Sequence, residues 1–470
     1  MDTKALRQKI LDLAIHGKLV PQDPNDEPAS VLLERIRAEK ERLIKEGKIK
    51  KGKKSAKTSD KPHYPFELPK GWVWCKLEDY VFSVTDGDHQ APPKVSKGIP
   101  FLVISNIADG SLDFSNTRYV PEEYYEKIQM ERKPKRGDIL FSVTGSYGIV
   151  VNIKTDRLFC FQRHIGLIKP TISNEYLSFV LMSNYIKSLC DKLATGTAQK
   201  TVGLDTLRSL YVPIAPIEEQ ERIVAKIKHL LLQISFLEAG KEKLVAAIKQ
   251  AKSKILDLAI HGKLVPQAPN DEPASELLKR INPKAEITCD NPQYGKLPKG
   301  WCETYLGELF NHNTGKALNS SNTEGIMRDY LTTSNVYWNT FDFSVVKKML
   351  FKDNELEKCS VTKGDLLVCE GGDIGRAAIW NLNYDICIQN HIHRLRPKVN
   401  LCVPFYYYTL YYLKVKNMIG GKGIGLLGLS SNALHKIHCP LPPLSEQHRI
   451  VTKIEELFAQ LDKIESSLQA

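Results

Sequence analysis

Several short motifs in the 470-residue chain are of types that bind nucleotides or DNA bases. Gly423, Gly425 and Gly428 form a G-x-G-x-x-G pattern, which in dinucleotide-binding proteins lets the backbone approach a pyrophosphate. No apolar strand leads into this segment, and the acid that follows it, Glu446, belongs to a repeated helix start described below. A glycine loop is therefore the favoured interpretation.

Two further segments suggest DNA chemistry but fail in their context. Residues 291–294 spell NPQY, one residue away from the NPPY motif of amino-group DNA methyltransferases, and Gln293 breaks the proline pair that fixes that turn. Residues 131–133, downstream of Asp113, fit the acid-plus-lysine pattern of metal-dependent nucleases only loosely, and the second half of the chain has no equivalent. The sequence also contains neither a G-x-x-x-x-G-K-[ST] phosphate loop nor a G-x-S-x-G elbow. We therefore expect no catalytic activity from the chain alone.

The cysteines and the net charge indicate the redox compartment and the class of partner to expect. No two of the 10 cysteines have the two-residue gap of a zinc knuckle or redox pair, so we expect buried thiols in a reducing cytoplasm. His435, His438 and Cys439 form the nearest metal-like cluster, but the sequence supplies no fourth ligand and ordinary packing is favoured. No stretch has the roughly 18 consecutive apolar residues of a membrane helix. The net charge of +12 favours a nucleic acid as partner.

A long internal repeat dominates the chain. The segment 9–36, KILDLAIHGKLVPQDPNDEPASVLLERI, returns at 254–281 with three substitutions. A second pair, PIAPIEEQERIVAKI from Pro213 and PLPPLSEQHRIVTKI from Pro440, shares the residues EQ, RIV and KI. The spacings are 245 and 227 residues, and together they equal the length of the chain to within two residues. The repeat therefore closes into a ring, and we predict two half-molecules related by a pseudo-two-fold axis.

The ring predicts two long helices. Apolar residues step by four and three after Pro213 and after Pro440, which is the pattern of a helix-pairing seam. The predicted seam comprises Ile223, Ile227, Leu230, Ile234 and Leu237 in the central helix and Ile450, Ile454, Leu457, Leu461 and Ile464 in the C-terminal helix. Gly17 and Gly262 are the predicted helix stops. We expect antiparallel coiled-coil helices that span on the order of 60 Å, rather than helices packed on globular cores.

Two globular segments lie between the helical repeats. They share LPKGW at 68–72 and 297–301, GD at 137–138 and 364–365, and the related sequences QRHI at 162–165 and QNHI at 389–392. Elsewhere they diverge, and short β-rich runs mixed with helical pieces indicate an α+β fold class. The predicted order is a helical segment at 1–44, a basic linker at 45–63, a first domain at 64–212, a central long helix at 213–281, a linker at 282–293, a second domain at 294–439 and a C-terminal helix at 440–470.

These repeats resemble those of a known family. The two LPKGW sequences, the helix starts EEQERIVAKI and SEQHRIVTKI, and the duplicated ILDLAIHGKLVPQ segments are similar to the specificity subunits of type I restriction-modification enzymes. The resemblance covers nearly the whole chain and includes the cyclic order of the repeats. It implies two α/β-mixed target recognition domains, one for each half of a split DNA sequence, with the paired helices as ruler and docking surface.

The resemblance also implies partners that carry the chemistry. Members of this family bind two modification subunits, which carry S-adenosylmethionine and methylate adenine, and two restriction subunits, which are ATP-dependent translocases and nucleases that use magnesium. No cofactor is expected on the chain itself, which would be a cytoplasmic reader of double-stranded DNA with no membrane contact. The alternatives are a catalytically active DNA methyltransferase or nuclease fusion, and an interaction scaffold without a DNA role.

Polar residues on glycine-punctuated loops are the predicted DNA contacts, because loops on a rigid scaffold vary without unfolding it. They are Asp88, His89, Gln90, Lys94, Asn106, Thr144, Ser146, Tyr147 and Arg163 in the first domain and Lys316, Asn319, Ser320, Asn335, Glu370, Arg376, Asn390 and Lys422 in the second. Arg163 and Asn390 lie beside the shared glutamine and histidine, where arginine suits guanine and asparagine suits adenine. The alternative for the shared glutamine and histidine is that they satisfy a buried strand end.

Overall fold

The structure, a computed structural model, describes residues 2–47, 64–89, 92–108, 110–172, 174–196, 199–291, 295–318, 324–419 and 428–469. The chain divides into two compact units, Met1–Gly240 and Lys241–Ala470. Each unit contains helical segments of the repeat and one mixed domain of helices and strands.

The first unit begins with two helices of the repeat and continues into its domain. Its elements are α1 (Thr3–Ile15), α2 (Ala29–Lys45), β1 (Val73–Lys76), α3 (Leu77–Tyr80), β2 (Val81–Asp86), β3 (Ile99–Leu102), β4 (Arg118–Val120), α4 (Glu122–Lys127), β5 (Ile139–Ser142), β6 (Val150–Asn152), β7 (Cys160–Phe161), β8 (Ile165–Pro170), α5 (Asn174–Leu181), α6 (Asn184–Leu193), α7 (Leu204–Ser209), β9 (Tyr211–Ile214) and the first part of α8 (Ile217–Ile260). Helix α8 has 44 residues and confirms the predicted long central helix.

The second unit repeats this order from the last part of α8. Its further elements are α9 (Ala274–Ile281), β10 (Asp290–Asn291), β11 (Gly295–Lys296), β12 (Cys302–Tyr305), α10 (Leu306–Leu309), β13 (Phe310–Thr314), β14 (Ile326–Leu331), β15 (Val336–Tyr337), β16 (Thr340–Phe341), β17 (Lys347–Phe351), α11 (Asp353–Cys359), β18 (Ser360–Val361), β19 (Leu366–Cys369), β20 (Ala377–Ile379), β21 (Ile386–Ile388), β22 (Ile392–Pro397), α12 (Val403–Val415), α13 (Ser431–His435), β23 (His438–Leu441) and α14 (Leu444–Gln469).

The two domains share a sheet topology although their sequences diverge. A four-stranded sheet has the order β2-β8-β5-β6 in the first domain and β13-β22-β19-β20 in the second. A second sheet, of three strands in the first domain and four in the second, contains the parallel pair β3–β7 in the first domain and the parallel pair β14–β21 in the second. The central strands β5 and β19 are buried along their whole length, and their sequences, ILFS and LLVC, are apolar except for Ser142. The predicted α+β class and internal repeat are therefore confirmed.

The duplicated motifs contact each other inside each unit. Gly17 and Gly262, the predicted helix stops, have φ angles of +64° and +63°, which glycine adopts without strain. A Cβ on Gly17 would lie 2.4 Å from Cγ of Pro69, and one on Gly262 would lie 2.4 Å from Cγ of Pro298. The proline of each LPKGW sequence thus packs directly on the glycine that follows α1 in the first unit and α8 in the second.

A buried tryptophan–glutamate hydrogen bond joins each domain to the helix that follows it. Nε1 of Trp72 donates to Oε2 of Glu219 at 2.9 Å, and Nε1 of Trp301 donates to Oε2 of Glu446 at 3.0 Å. All of these side chains are buried, and burial raises the pKa of both carboxyl groups above the ordinary value. The tryptophan of LPKGW and the glutamate of the EQ helix start therefore form one junction in each unit.

Helix pairing occurs within each unit and runs antiparallel. In the first unit, the Arg7 guanidinium in α1 contacts Glu238 of α8 at 2.8 Å, and Asp26 after α1 pairs with Arg222 near the start of α8. In the second unit, Lys252 of α8 pairs with Asp462 and Glu465 of α14, and Asp271 after α8 pairs with Arg449 near the start of α14. Helix α8 thus pairs with α1 in the first unit and with α14 in the second.

The predicted seam residues differ in how deeply they are buried. Ile223, Ile227, Ile234, Ile450 and Ile454 are buried, Leu230, Leu457 and Leu461 are half-buried, and Leu237 and Ile464 are exposed. Ile223 and Ile227 belong to the same hydrophobic cluster as Trp72 and Tyr80 of the domain. The start of α8 therefore packs on a globular core as well as on a helix, because the junction brings the domain against it.

Candidate nucleic-acid interface

A tight turn between β7 and β8 presents Arg163 and His164 on the first domain. The Ile165 amide donates to the Gln162 carbonyl at 3.1 Å, which closes the turn. The Arg163 amide donates to the Asp88 carbonyl at 3.0 Å, and the Arg163 side chain is exposed. The turn is thus held by its backbone, so the side chains at its corner can change without altering it.

The second domain builds the same turn between β21 and β22. The Ile392 amide donates to the Gln389 carbonyl at 3.0 Å, and the Asn390 amide donates to the Lys316 carbonyl at 3.0 Å. We call residues 87–88 with 162–165, and residues 315–316 with 389–392, the turn frames of the two domains. The two turn frames have matching backbone bonds and different side chains at the corner.

A glycine in each turn frame allows two backbone segments to touch. A Cβ on Gly87 would lie 2.0 Å from the Phe161 carbonyl oxygen, and a Cβ on Gly315 would lie 2.1 Å from that of Ile388. No other residue fits at such a distance from backbone. The frames therefore depend on Gly87 and Gly315, which directly precede the predicted contacts Asp88 and Lys316.

A cavity of about 210 Å³ opens beside the turn of the first domain. It is lined by Asp88, His89, Pro92, Pro93, Lys94, Phe101, Arg118, Tyr119, Val120, Gln162, Arg163 and His164. The structure thus brings together the predicted contacts Asp88, His89, Lys94 and Arg163. The cations among the lining residues suit phosphate oxygens and the acceptor groups of base edges.

Four of the polar residues that line the cavity were not among the predicted DNA contacts, and the sequence contained a signal for only two of them. Arg118 and Tyr119 reach the cavity because β4 pairs with β3, with Phe101 opposite Arg118, and a strand pairing of this kind cannot be read from residue types. Gln162 and His164 belong to the motif shared by both domains, which was the available signal for them. Burial, reinforced by the neighbouring Arg163 guanidinium, lowers the pKa of the His164 imidazole. The ring is therefore neutral at pH 7 and can both donate and accept a hydrogen bond.

The side chains of Asp88 and Lys316 are held by internal partners. Tyr124 donates its hydroxyl to the Asp88 carboxylate at 2.8 Å, and Lys316 donates to the Glu355 carboxylate at 2.6 Å. The exposed fractions of the two side chains are 17% and 11%. Both residues thus support the turn frames rather than project from them.

Asn106 and Asn335 are buried turn supports in the two domains. Each is 3% exposed. The Asn106 side-chain oxygen accepts from the Val103 amide at 2.9 Å, and its nitrogen donates to the Asp113 carbonyl at 3.1 Å. Asn335 accepts in the same way from the Thr332 amide at 2.8 Å. These positions differ from the predicted base contacts, because the amide groups are already used inside the domain.

The loop after β5 holds the remaining predicted contacts of the first domain. Thr144 is buried and Tyr147 donates its hydroxyl to Asp191 at 2.7 Å, so both side chains have structural roles. Ser146 is exposed. His89 is also exposed and pairs through Nε2 with the Asp86 carboxylate at 2.8 Å.

In the second domain, Glu370 lies beside the turn frame and Arg376 does not project from the surface. The Glu370 carboxylate contacts Nδ1 of His391 at 3.2 Å. The Arg376 guanidinium donates to the Thr333 carbonyl and lies 4.6 Å from the centre of the Tyr337 ring. Gln90, Asn319, Ser320 and Lys422 lie outside the described residues, as do Gly423 and Gly425 of the glycine motif and residues 292–294 of NPQY.

The other candidate motifs have structural roles. Arg132, from the acid-plus-lysine segment, donates to the carbonyls of Asp86 and Gly87 behind the turn frame. His435 packs its ring 4.7 Å from that of His312, while His438 bonds to Glu303 at 2.5 Å. Over the described ranges, no group of three or more His, Cys, Asp and Glu side chains is arranged to hold a metal ion. Within those same ranges, no helix is both long and apolar enough to cross a membrane.

Comparison with known proteins gives the family. The model of the type I restriction modification DNA specificity domain matches twice, at residues 69–246 and 298–470. The chain is 28% identical to the type I restriction enzyme EcoAI specificity subunit of Escherichia coli, over 98% of this chain and 90% of that protein. It is 27% identical to the EcoEI specificity subunit of Escherichia coli, over 99% of this chain and 91% of that protein.

The fold agrees with this result. A solved chain from a study of complex assembly and conformational transition of the type I restriction-modification system aligns with a TM-score of 0.60 and 21% identity, over 86% of this chain and 94% of that one. With two matched domains covering most of its length, the chain belongs to the type I restriction modification DNA specificity family, whose members are non-catalytic DNA-recognition subunits.

Proposed function

We propose that the chain reads a bipartite site in double-stranded DNA, with one target recognition domain on each half, and scaffolds the subunits that modify and cut DNA. The observation that carries this proposal is the pair of turn frames, which match in backbone and differ at the corner, where one holds Arg163 and the other Asn390. A protein that recognises two unlike words with one architecture needs a constant frame and variable side chains. The domains at 64–212 and 294–439 would each recognise one word.

The corner residues supply two different base contacts. An arginine guanidinium donates two hydrogen bonds to O6 and N7 of guanine, whereas an asparagine amide pairs with N6 and N7 of adenine. Lys94 and Arg118 beside the first turn would bind phosphate oxygens, which positions the domain without selecting a sequence. Exposed Ser146 and half-buried Glu370 lie on adjoining loops, where they would contact neighbouring bases.

The duplicated segments provide equivalent docking sites for partner subunits. Residues 9–36 and 254–281 are nearly identical and lie outside the diverging parts of the domains, so identical partners would bind both. On α8, Leu232 and Phe236 are 71% and 78% exposed, which is unusual for large apolar side chains and is typical of a protein interface. We propose that two modification subunits bind, one at each duplicated segment, and that two restriction subunits join them. S-adenosylmethionine, ATP and magnesium would then be held by the partners, in the cytoplasm.

The length of α8 sets the gap between the two words in this proposal. Its 44 residues, at about 1.5 Å per residue, span on the order of 65 Å. This length corresponds to between one and two turns of B-DNA, which repeats roughly every 35 Å. Inserting seven residues in α8 and in the C-terminal helix should lengthen the gap without changing either word, and an altered word would contradict this role.

A selection experiment tests the proposal. The full chain, assembled with the modification subunits of its own system, is used to select duplexes from a random library, and binding is repeated over a range of salt concentrations. We expect one motif of two unlike words with a fixed gap, and a linear fall of log affinity with log salt concentration.

Two other results would favour different functions. If no sequence is enriched and binding to DNA is absent at low salt, the chain is an interaction scaffold without a DNA role. If the purified chain alone transfers methyl groups from S-adenosylmethionine or cleaves DNA with magnesium and ATP, it is an enzyme. The first result and the second would each contradict the proposed function.

A further inference from the structure

The residue that supports the corner of each turn frame carries an opposite charge in the two domains. The backbone carbonyl of Asp88 accepts a hydrogen bond from the Arg163 amide, and the backbone carbonyl of Lys316 accepts one from the Asn390 amide, both at 3.0 Å. The two residues therefore occupy the same position in their turn frames. Because so little of either side chain is exposed, each charge needs a partner inside its domain. The two domains solve this requirement in opposite ways.

In the first domain the support is an acid held by donors. The Tyr124 hydroxyl of α4 donates to Oδ2 of Asp88 at 2.8 Å, and the Arg132 guanidinium lies 3.8 Å from the same carboxylate. Burial and the neighbouring Asp88 raise the pKa of Tyr124, so the hydroxyl keeps its proton and remains a donor. Arg132 also donates to the Asp86 carbonyl at 2.8 Å, which places it against the strand that leads into the frame.

In the second domain the support is a base held by acceptors. Nζ of Lys316 donates to Oε2 of Glu355 at 2.6 Å and to the Leu350 carbonyl at 2.9 Å. It also lies 5.5 Å from the centre of the Phe351 ring. The hydrogen bond from Lys316 lowers the pKa of Glu355, which is therefore ionised at neutral pH.

The partners Tyr124 and Glu355 also occupy one position. Each is the third residue of a short helix that follows an edge strand of the second sheet, because α4 begins at Glu122 after β4 and α11 begins at Asp353 after β17. Both members of the pair thus differ between the domains while the geometry is kept. A lysine facing Tyr124, or an aspartate facing Glu355, would leave a poorly compensated charge with little access to water.

We propose that the pairs Asp88–Tyr124 and Lys316–Glu355 are positioning residues for base recognition, which hold the corner residue against the DNA and can be exchanged between domains only as pairs. This inference rests on the proposed DNA-reading function. Each pair acts through the backbone carbonyl of Asp88 or Lys316. The partner anchors the side chain of that residue, and the carbonyl of the same residue binds the amide of the corner residue. A displacement of less than 1 Å is enough to weaken a two-bond base contact, because hydrogen bonds lengthen from about 2.9 Å to beyond the useful range of about 3.2 Å.

The first test removes one partner without changing its volume. The full chain with its modification subunits binds the selected duplex and duplexes with one base pair changed in either word, which gives a discrimination ratio for each word. Tyr124→Phe should reduce the ratio for the first word by about tenfold and leave the second unchanged. Tyr125→Phe, on the same helix, is the matched control and should change neither ratio.

The second test repeats the measurement in the other domain and adds the exchange. Glu355→Gln should lower the ratio for the second word only, with Glu357→Gln on the same helix as control. Lys316→Asp alone brings two carboxylates together and should abolish selection of the second word. The double change of Lys316→Asp with Glu355→Tyr introduces the Asp–Tyr pair of the first domain without its arginine, and should restore part of the ratio that Lys316→Asp alone removes.

The outcomes separate this inference from the function on which it rests. If Tyr124→Phe leaves the first ratio unchanged, or weakens all duplexes equally, the pairs are merely structural and the proposal is wrong. If the double exchange discriminates no better than Lys316→Asp alone, the pairing is wrong. A wild-type complex that selects no motif would instead contradict the proposed function, and thermal melting of each variant shows whether it is folded.

Discussion

The exposed guanidinium of Arg163 gives the sharpest test of base recognition. Replacing Arg163 by alanine removes the side chain but keeps the amide that donates to the Asp88 carbonyl at 3.0 Å. Because the side chain is exposed, the free energy of unfolding should change by less than about 0.5 kcal/mol. The turn frame therefore remains in place, and any effect on DNA binding reports the lost contact.

The expected loss follows from the geometry of an arginine–guanine pair. Two hydrogen bonds to one base edge contribute about 1–3 kcal/mol of discrimination, which corresponds to roughly 5- to 150-fold in affinity. This loss should appear for one base pair of the first word and nowhere in the second. A phosphate contact would instead weaken all duplexes by a similar factor and reduce the salt slope by about 1.

Competition binding with single-substituted duplexes distinguishes these cases. Arg136→Ala is the matched control, because Arg136 is 57% exposed and pairs with Asp156 at 2.6 Å. Arg136 precedes the first residue of β5, whereas the turn frame lies at the opposite end of that strand. Arg136→Ala removes the same charge and should leave discrimination intact. If Arg163→Ala weakens every duplex by the same factor while Arg136→Ala weakens none, Arg163 contacts only the DNA backbone and the base-contact argument fails.

Packing and titration in the two units give the remaining predictions. Gly17→Ala should destabilise the chain by about 2–5 kcal/mol. Gly47→Ala, at a φ of +69° but with no atom of the described part of the chain within 4 Å of the new Cβ, should cost only about 1–2 kcal/mol; equal losses in denaturant unfolding would contradict the packing contact. Trp72→Phe should cost about 1.5–3 kcal/mol because the buried Glu219 carboxylate loses the indole as a donor. Adding Glu219→Met should recover part of this loss, so strictly additive losses in the double-mutant cycle would argue against a coupled junction. Burial, with the neighbouring histidines, lowers the pKa of His312 from 6.5 to about 4. Because the unfolded chain then binds this proton at higher pH than the folded chain, the folded state should lose stability as pH falls from 6.5 towards 4, by up to about 1.4 kcal/mol per pH unit. A His312→Asn variant with the same pH dependence of unfolding would refute this assignment.

The helices and the internal repeat were predictable because their signals are local or directly repeated. The central helix follows from apolar periodicity, and its observed bounds, Ile217–Ile260, agree with that pattern. Gly17 and Gly262 stop their helices through a backbone conformation that glycine favours, which residue type alone indicates. The shared sheet topology follows from the family to which both domains belong.

The contacts between motifs were not predictable, because they join residues far apart in the sequence. Nothing in the spacing of Gly17, Pro69 and Trp72 shows that the proline touches the glycine or that the indole reaches Glu219. The repeated sequences show that these motifs recur together. Only the folded chain shows that they form one junction.

The candidate interface was predictable in part for the same reason. Residue type suggested polar contacts, but Asn106 and Asn335 use their amides inside the domain, and burial of this kind has no signature in loop composition. Asp88 and Lys316 were singled out separately as polar loop residues, whereas the structure places them at one position with opposite charge. The corner residues Arg163 and Asn390 were found because the flanking glutamine and histidine are repeated.

The most direct measurement uses a chimera in which residues 64–212 are replaced by a second copy of residues 294–439. The complete complex would be expressed in cells and the methylated adenines in their DNA mapped. If each domain reads one word from an equivalent junction, the chimera should methylate a site made of two copies of the second word, with the gap kept. Methylation at the original pair of words, or at a site where both words have changed, would contradict the account.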